Sequence, residues 1–416
     1  MITWIKIGIR NLYKNKRRSL FTIGAISLGF AAVNIFGGFT NYMYTNLKQS
    51  FIYGQGNGHL TVFKKGFSGE GKIDPLKYLI AEAEMKTIRG FCMKDSRVLM
   101  VTPQLRISGL LSNGEVSTIF IAGGRVPSEI RFINSQAKGL LSENKFFEGK
   151  QLEDNITYGV GLSKGLAKKL GLSLNSGAIA MSPTVEGLLN ALDAQVFQLF
   201  DSPAETLDDK LMIVPLKFAQ LLYDTSSVDR LTVLLDDDKH IESVKAFLEQ
   251  GLKQKGLAVE IKQWRELSSF YKKTKDMFDT IFIFIFVIVF IIVVMSIINT
   301  ISMAVMERTR EVGTLRTLGV KRKRIIELFA IESGLLGIMG SIIGMLLTLA
   351  IWIGIQIWEP TWIPPHITIR VPLEVYLVPG YIILSFLCLV VLSVVAAAFP
   401  ARKAAHMSIV DALGHV

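Results

Sequence analysis

Several stretches of this 416-residue chain carry residue types at spacings that chemistry uses. Gly161-Leu-Ser163-Lys-Gly165 matches GxSxG, in which a strained strand-to-helix turn exposes a serine nucleophile. It follows an expected strand at 156–160 and precedes an expected helix at 166–170. No acid and histidine partners stand out for it, so Ser163 is expected to cap that helix and Gly171 to end it. Gly66-Phe-Ser-Gly-Glu-Gly71-Lys72 meets the GxxxxGK part of a phosphate loop, but Ile73 stands where a Ser or Thr should hold Mg²⁺. A glycine-rich surface turn is expected there, and no ATPase within this polypeptide. Asp236, Asp237 and Asp238 precede an expected helix whose amino end favours negative charge. His59, His240, His366, His406 and His415 lack metal-ligand spacing, and Cys92 and Cys388 lie in dissimilar surroundings. The expectation is a chain with no catalytic residue, no cofactor and no metal.

The densest chemistry is charge. Glu307, Arg308, Arg310, Glu311 and Arg316 crowd one short loop, in which Gly313 and Gly319 can break the segment into helical pieces. Such a loop between two apolar runs belongs on the cytoplasmic side. Orientation requires only basic residues, so the interleaved acids point to a docking surface for another cytoplasmic protein. Glu327 and Glu332, close to Arg322 and Arg324 in sequence, are expected to pair at the membrane interface rather than to carry protons.

The elements that hold this loop are membrane spans. Half of the residues are hydrophobic, and the mean hydropathy is +0.40, too apolar for an average soluble protein. The formal charge is +11, with Lys and Arg beside the apolar runs, which fits membrane orientation and excludes a nucleic-acid reading. Residues 1–18 form a basic amphipathic surface helix, and 19–41 the first transmembrane helix. This first run exceeds a signal-peptide core and lacks a small-x-small site after it, so an uncleaved anchor is expected. Residues 42–275 form a mixed α+β extracytoplasmic domain, and 276–301 the second span, prolonged outward as a stalk from about residue 265. Residues 302–326 are the cytoplasmic loop, 327–356 the third span, 357–375 an outer loop, 376–399 the fourth span and 400–416 a cytoplasmic tail. The fold class is therefore a membrane protein with four transmembrane helices and a large α+β extracytoplasmic domain between the first and second.

Within that domain, residues 98–111 and 115–122 read as two strands joined by Asn113-Gly114. Residues 230–235, 241–253 and 257–261 read as strand, helix and strand, and 215–223 as a short helix with Pro215 in its first turn. One unbroken helix is expected from Glu266 to Ile301. In the third span Gly340 and Gly344 form a small-xxx-small pair suited to close helix packing.

Asn299-Thr300, ERTREVGTLRTLG over 307–319, the glycine-rich third span and PARKAAHMSIVDAL over 400–413 together resemble the MacB/FtsX-type ABC-transporter permeases. GHLTVF from Gly58, YGVGLSKGLAKKLGL from Tyr158 and Trp264-Arg-Glu-Leu267 are weaker echoes. The resemblance implies a permease that pairs with a second permease subunit, the same or homologous, and with a cytoplasmic ABC ATPase. It implies that Glu307, Arg308, Arg310, Glu311, Gly313, Arg316 and Gly319 receive ATPase movement, which the long second helix conveys outward by mechanotransmission. Overall plan is most similar to the lipoprotein-releasing Lol-type permeases. That likeness implies lipoprotein release at a bacterial inner membrane, with membrane lipid and a periplasmic adaptor or acceptor as partners, both termini cytoplasmic and the large domain periplasmic. MacB-like efflux of peptides or small molecules, regulation of a cell-wall hydrolase, and a membrane-anchored serine hydrolase built on Ser163 stand as alternatives.

Overall fold

The computed structural model describes residues 2–71, 74–138, 147–202, 205–362 and 370–407. Lys72, Ile73, His366, His415 and the end of the tail motif lie outside them. The chain divides into a helical unit (Met1–Tyr44, Lys273–Thr361, Pro372–Val416) and a sheet unit (Thr45–Lys272, Trp362–Val371).

In chain order, α1 (Ile2–Lys14) gives way at Asn15 to α2 (Lys16–Gln49), which a π-helical turn, Ser50–Gly54, extends. In α1, Gly8 and Leu12 are buried while Lys6, Arg10 and Lys14 are exposed, an i,i+4 division that makes one face of the helix apolar. Gly8 lies so close to Leu335 that an added Cβ would sit 3.2 Å from Leu335 Cδ1.

The sheet unit follows, from β1 (Leu60–Lys64) through α3 (Phe67–Glu70), α4 (Pro75–Tyr78) and α5 (Glu82–Cys92) to β2 (Val98–Ser112) and β3 (Ser117–Arg125). After α6 (Pro127–Ser135) come β4 (Phe147–Gly149), β5 (Gly159–Ser163), α7 (Lys164–Lys169), β6 (Gly177–Pro183) and β7 (Leu189–Phe200). The unit closes with β8 (Leu211–Pro215), α8 (Leu216–Tyr223), β9 (Arg230–Leu235), α9 (Ile241–Gln254), β10 (Val259–Gln263) and α10 (Trp264–Leu267). Among the described residues the strands form one mixed sheet in the order β10-β1-β9-β2-β3-β8-β5-β7-β4, with β6 bridging β2 and β7.

Strand β2 is 15 residues long, and its start pairs with β9 while its end pairs with β3 and β6. One hydrophobic core, with Val101, Val233, Leu248 and Trp264, therefore lies at its start. A second, with Leu105, Phe120, Val196 and Phe218, lies toward its end.

Departures from the expected elements have local causes at the turns and caps. Ser112 pairs with Ser117, so the Asn-Gly connection is a four-residue loop rather than a two-residue turn. In that loop Asn113 Oδ1 accepts from the backbone N–H groups of Glu115 (2.9 Å) and Val116 (2.7 Å), and Gly114 takes φ +99°. The strand expected from residue 257 starts at Val259, because the Leu257 N–H is spent on the Leu252 carbonyl (3.1 Å) past Gly256 at φ +73°. Pro215 caps α8 from outside instead of sitting in its first turn.

His59 sits in this unit at 1% exposure, its Nδ1 accepting the Leu235 N–H at 3.0 Å. Burial, then the Lys48 cation, push its pKa down to about 4, with Asp236 and Asp237 opposing weakly. Protonating Nδ1 would also break the bond to Leu235. The unfolded chain, with an ordinary histidine near 6.5, takes up that proton first, so stability falls as pH drops from about 6.5 toward 4. The expected loss is about 2–3 kcal/mol by pH 4.5. Unfolding of native and His59→Gln protein across pH 7.5 to 4.5 tests this: parallel pH profiles would refute it.

The remaining helices are α11 (Ser269–Glu307), α12 (Thr309–Thr317), α13 (Arg322–Trp358) and α14 (Pro379–His406). The helix expected to run unbroken from Glu266 is interrupted at Ser268, which takes φ −89° and ψ 81°. Trp264 is buried at 1% exposure, its carbonyl accepts the Ser268 N–H at 2.9 Å, and Ser268 Oγ accepts the Tyr271 N–H at 3.3 Å. The bonds around Ser268 thus end one helix and start the next. Helix α11, at 39 residues, is about 58 Å long at ~1.5 Å per residue.

Among the described residues four segments, Lys16–Gly54, Ser269–Glu307, Arg322–Trp358 and Pro379–His406, are long and apolar enough to cross a membrane. With the α+β domain between the first and second, this is a multi-pass membrane protein. Helix α13 packs through its glycines. A Cβ at Gly340 would lie 2.6 Å from Ile26 Cβ, one at Gly344 2.7 Å from Phe30 Cβ, and one at Gly337 2.6 Å from Ser393 Oγ. Gly340 and Gly344 therefore abut α2, and Gly337 abuts α14. Two further bonds hold α2, between the Thr22 and Thr300 hydroxyls (2.6 Å) and from Asn34 to Ser385 (2.9 Å). Gly344→Leu should destabilise by about 1–3 kcal/mol through overpacking, with partial rescue by Phe30→Ala. Thermal denaturation in detergent measures both, and an unchanged melting temperature for Gly344→Leu would contradict this packing.

Candidate functional site

The charged loop folds as a short helix held between two long ones. Helix α11 ends at Glu307, and Arg308 (φ −113°, ψ 15°) turns the chain. Thr309 Oγ1 lies 2.9 Å from the Val305 carbonyl and 3.1 Å from that of Met306, occupying acceptors that the helix end leaves open. Helix α12 ends at Thr317, where Gly319 at φ +88° lets the Val320 N–H reach the Leu315 carbonyl (3.1 Å).

The two faces of α12 differ. Thr309, Val312 and Gly313 are buried. Arg316 donates to the carbonyls of Ala405 (3.3 Å) and Met407 (2.7 Å), a cation on the last carbonyls of α14, where the helix dipole is negative. Arg310, Glu311, Leu318 and Gly319 face outward. Leu318, 77% exposed, was not singled out from the sequence. A lone leucine has no periodicity to mark it.

Behind α12 lie two ion pairs. Arg18 donates through both terminal nitrogens to Glu307 (3.1 and 3.2 Å), and Asn15 adds a third bond at 3.2 Å. Arg308 Nη1 donates to Glu332 at 3.1 Å, with side-chain exposures of only 10% and 4%. This corrects the expected pairing of Glu332 with Arg322 or Arg324. The turn at Arg308 aims it at α13, and Glu327, one turn earlier, takes Arg324 at 2.9 Å. Of the seven residues singled out, Arg308, Gly313 and Arg316 thus face protein, Glu307 is half-exposed and paired, and Arg310, Glu311 and Gly319 are open.

The other candidates have structural employment. Ser163 is fully buried, with Oγ 2.6 Å from the Asp208 carbonyl and 2.9 Å from that of Leu211. It stands at the N-cap position of α7 but makes no side-chain cap bond, so only its backbone fills the expected role. Asp237 accepts the Lys239 N–H at 2.9 Å, Asp236 pairs with His240 at 2.8 Å, and Asp238 pairs with Lys48. In the glycine-rich turn, Gly66 takes φ +91° and opens the one-turn helix α3.

Residues 19–250 match the MacB-like periplasmic core domain, and residues 283–409 match the FtsX-like permease C-terminal family. The chain belongs to the MacB/FtsX-type ABC transporter permeases. The permease is 23% identical to the ABC transporter permease MJ1507 of Methanocaldococcus jannaschii over 98% of its own length and 97% of that protein. It is 32% identical over 117 residues to the macrolide export ATP-binding/permease protein MacB of Escherichia coli K12, a match covering 28% of this chain and 16% of MacB. Among solved structures, the periplasmic region of MacB from Actinobacillus actinomycetemcomitans aligns with TM-score 0.37 at 15% identity, covering 52% of this chain and 94% of that one.

Proposed function

We propose that this permease converts ATP-driven motion of a separate cytoplasmic ABC ATPase into movement of its α+β domain, by mechanotransmission and for the release or export of lipoproteins. The observation that carries this reading is the two-sided character of α12. Its inner face is tied to α13 and α14 through Arg308–Glu332 and Arg316, while Arg310, Glu311 and Leu318 stand open to a partner. A push on the outer face reaches the end of α11 directly, since only Arg308 separates the two helices.

In this reading the Lys and Arg clusters at 16–18, 322–324 and 402–403 lie on the cytoplasmic side of a bacterial inner membrane. Both termini lie there too, and the α+β domain is periplasmic. A second permease subunit, the same or homologous, completes the transporter, and a periplasmic adaptor or acceptor receives the cargo. Gly340 and Gly344 serve packing within one subunit. The similarity to a macrolide exporter over 117 residues favours a second reading, MacB-like efflux of a peptide or small molecule, through the same coupling. Ser163 gives no support to a hydrolase, because its hydroxyl is committed to two carbonyls.

Affinity purification of the permease in mild detergent, with every copurifying chain identified and quantified, tests the proposal. An ABC ATPase in equal amount is expected. A copurifying lipoprotein supports the first cargo and its absence the second. Preparations that never contain an ABC ATPase would overturn both.

A further inference from the structure

The sheet unit contains two arginines, Arg106 and Arg125, with no acidic partner among the described residues. Strand register places Arg125 of β3, Gln104 of β2 and Arg230 of β9 in one row across adjacent strands. Arg106, two residues along β2, points to the same face. It lies opposite Gly123, whose missing side chain leaves room there: a Cβ at Gly123 would be 3.3 Å from Arg125 Nε. Gln104 donates to the Gly56 carbonyl at 2.8 Å and anchors the middle of the row.

Among the described residues, these three guanidinium groups have one carboxylate partner between them, Asp229. Asp229 is taken up by Arg230, through Nε at 3.0 Å and Nη2 at 2.7 Å, and Arg230 also lies over the Phe63 ring at 5.0 Å. Arg106 and Arg125 make no hydrogen bond or ion pair to the described residues, and Arg125 Nε is buried without an acceptor. Burial, followed by the Arg106 and Arg230 charges, lowers the Arg125 pKa to about 10. Desolvation, then the Arg230 charge, lower that of Arg106 as well, with Asp229 opposing. An unpaired, partly buried charge held beside like charges is unfavourable unless something of opposite sign occupies the site.

We propose that Arg106, Arg125 and Arg230 form an anion site for a phosphoryl group, either a free phosphate ion or a phospholipid headgroup. One guanidinium fork satisfies a carboxylate. Two unpartnered forks and a third half-occupied one, brought in from three strands, suit a tetrahedral group with oxygens in several directions. The site is independent of α12 and of the coupling reading.

Full-length permease in detergent provides the test, by calorimetric titration and thermal denaturation at constant ionic strength. The probes are inorganic phosphate and dihexanoyl phosphatidic acid, with dihexanoyl phosphatidylcholine and chloride as controls. Saturable binding of phosphate identifies the free ion, and binding of phosphatidic acid alone identifies the headgroup. In either case Arg106→Gln should weaken affinity about 10- to 100-fold, and Arg125→Gln should abolish the anion-induced rise in melting temperature. Should Arg125→Gln fail to fold, Arg106→Gln, at an exposed position, decides alone. Absence of saturable binding by both probes, or affinity unchanged by Arg106→Gln, overturns the proposal.

Discussion

Arg308→Ala should be the most damaging single substitution in the helical unit, lowering stability by about 3–5 kcal/mol. It would leave the Glu332 carboxylate, 4% exposed, without the guanidinium 3.1 Å away that balances it. The reciprocal Glu332→Ala should do similar harm. Arg308→Met combined with Glu332→Leu should recover most of the loss, because an apolar pair of similar volume needs no charge compensation. Thermal denaturation of the four proteins in one detergent checks this. A double variant as unstable as the sum of the singles, or an Arg308→Ala protein that melts normally, would show that the pair is not a closed, mutually dependent unit.

Arg310→Glu with Glu311→Lys should behave in the opposite way. Both side chains are exposed on α12, so the melting temperature should stay within a degree or two of native, since surface changes away from buried features act weakly. Recovery of the ATPase with the permease, and transport-coupled ATP turnover, should fall at least about tenfold, because reversed charges across a docked surface oppose association. Leu318→Ala should add to that defect. Full recovery of a working complex from the double reversal would remove α12 from the docking surface.

The spans were legible in sequence because about twenty apolar residues cannot hide in a domain of this size. Strand β9 was equally plain: Arg230–Leu235 is a short apolar run bounded by turn residues, and it occupies the expected positions. The break at Ser268 was not legible, since Gly and Pro are absent and the cause is the burial of Trp264 against another part of the fold. The partner of Glu332 was hidden for a related reason. Helical spacing favoured Arg322 and Arg324, but the single non-helical residue Arg308 resets the phase of the chain and turns its own side chain inward. In the candidate site, residue types announced a charged surface, while which charges face out depended on that one turn. The arginine row was invisible for want of register, as its members are far apart in sequence and meet only through strand pairing.

Strand β2 gives the α+β domain a mechanical property. Its start places Val98 and Val101 in one hydrophobic core and its later part places Leu105, Ile107 and Leu111 in the other, so one continuous strand joins the halves of the domain. Close-packed interiors yield little under load. Under the proposed coupling, a torque applied at the β10 end would pass through β1 and β9 to β2, and along it to β6 and β7, as rotation of a stiff plate rather than being absorbed by bending midway.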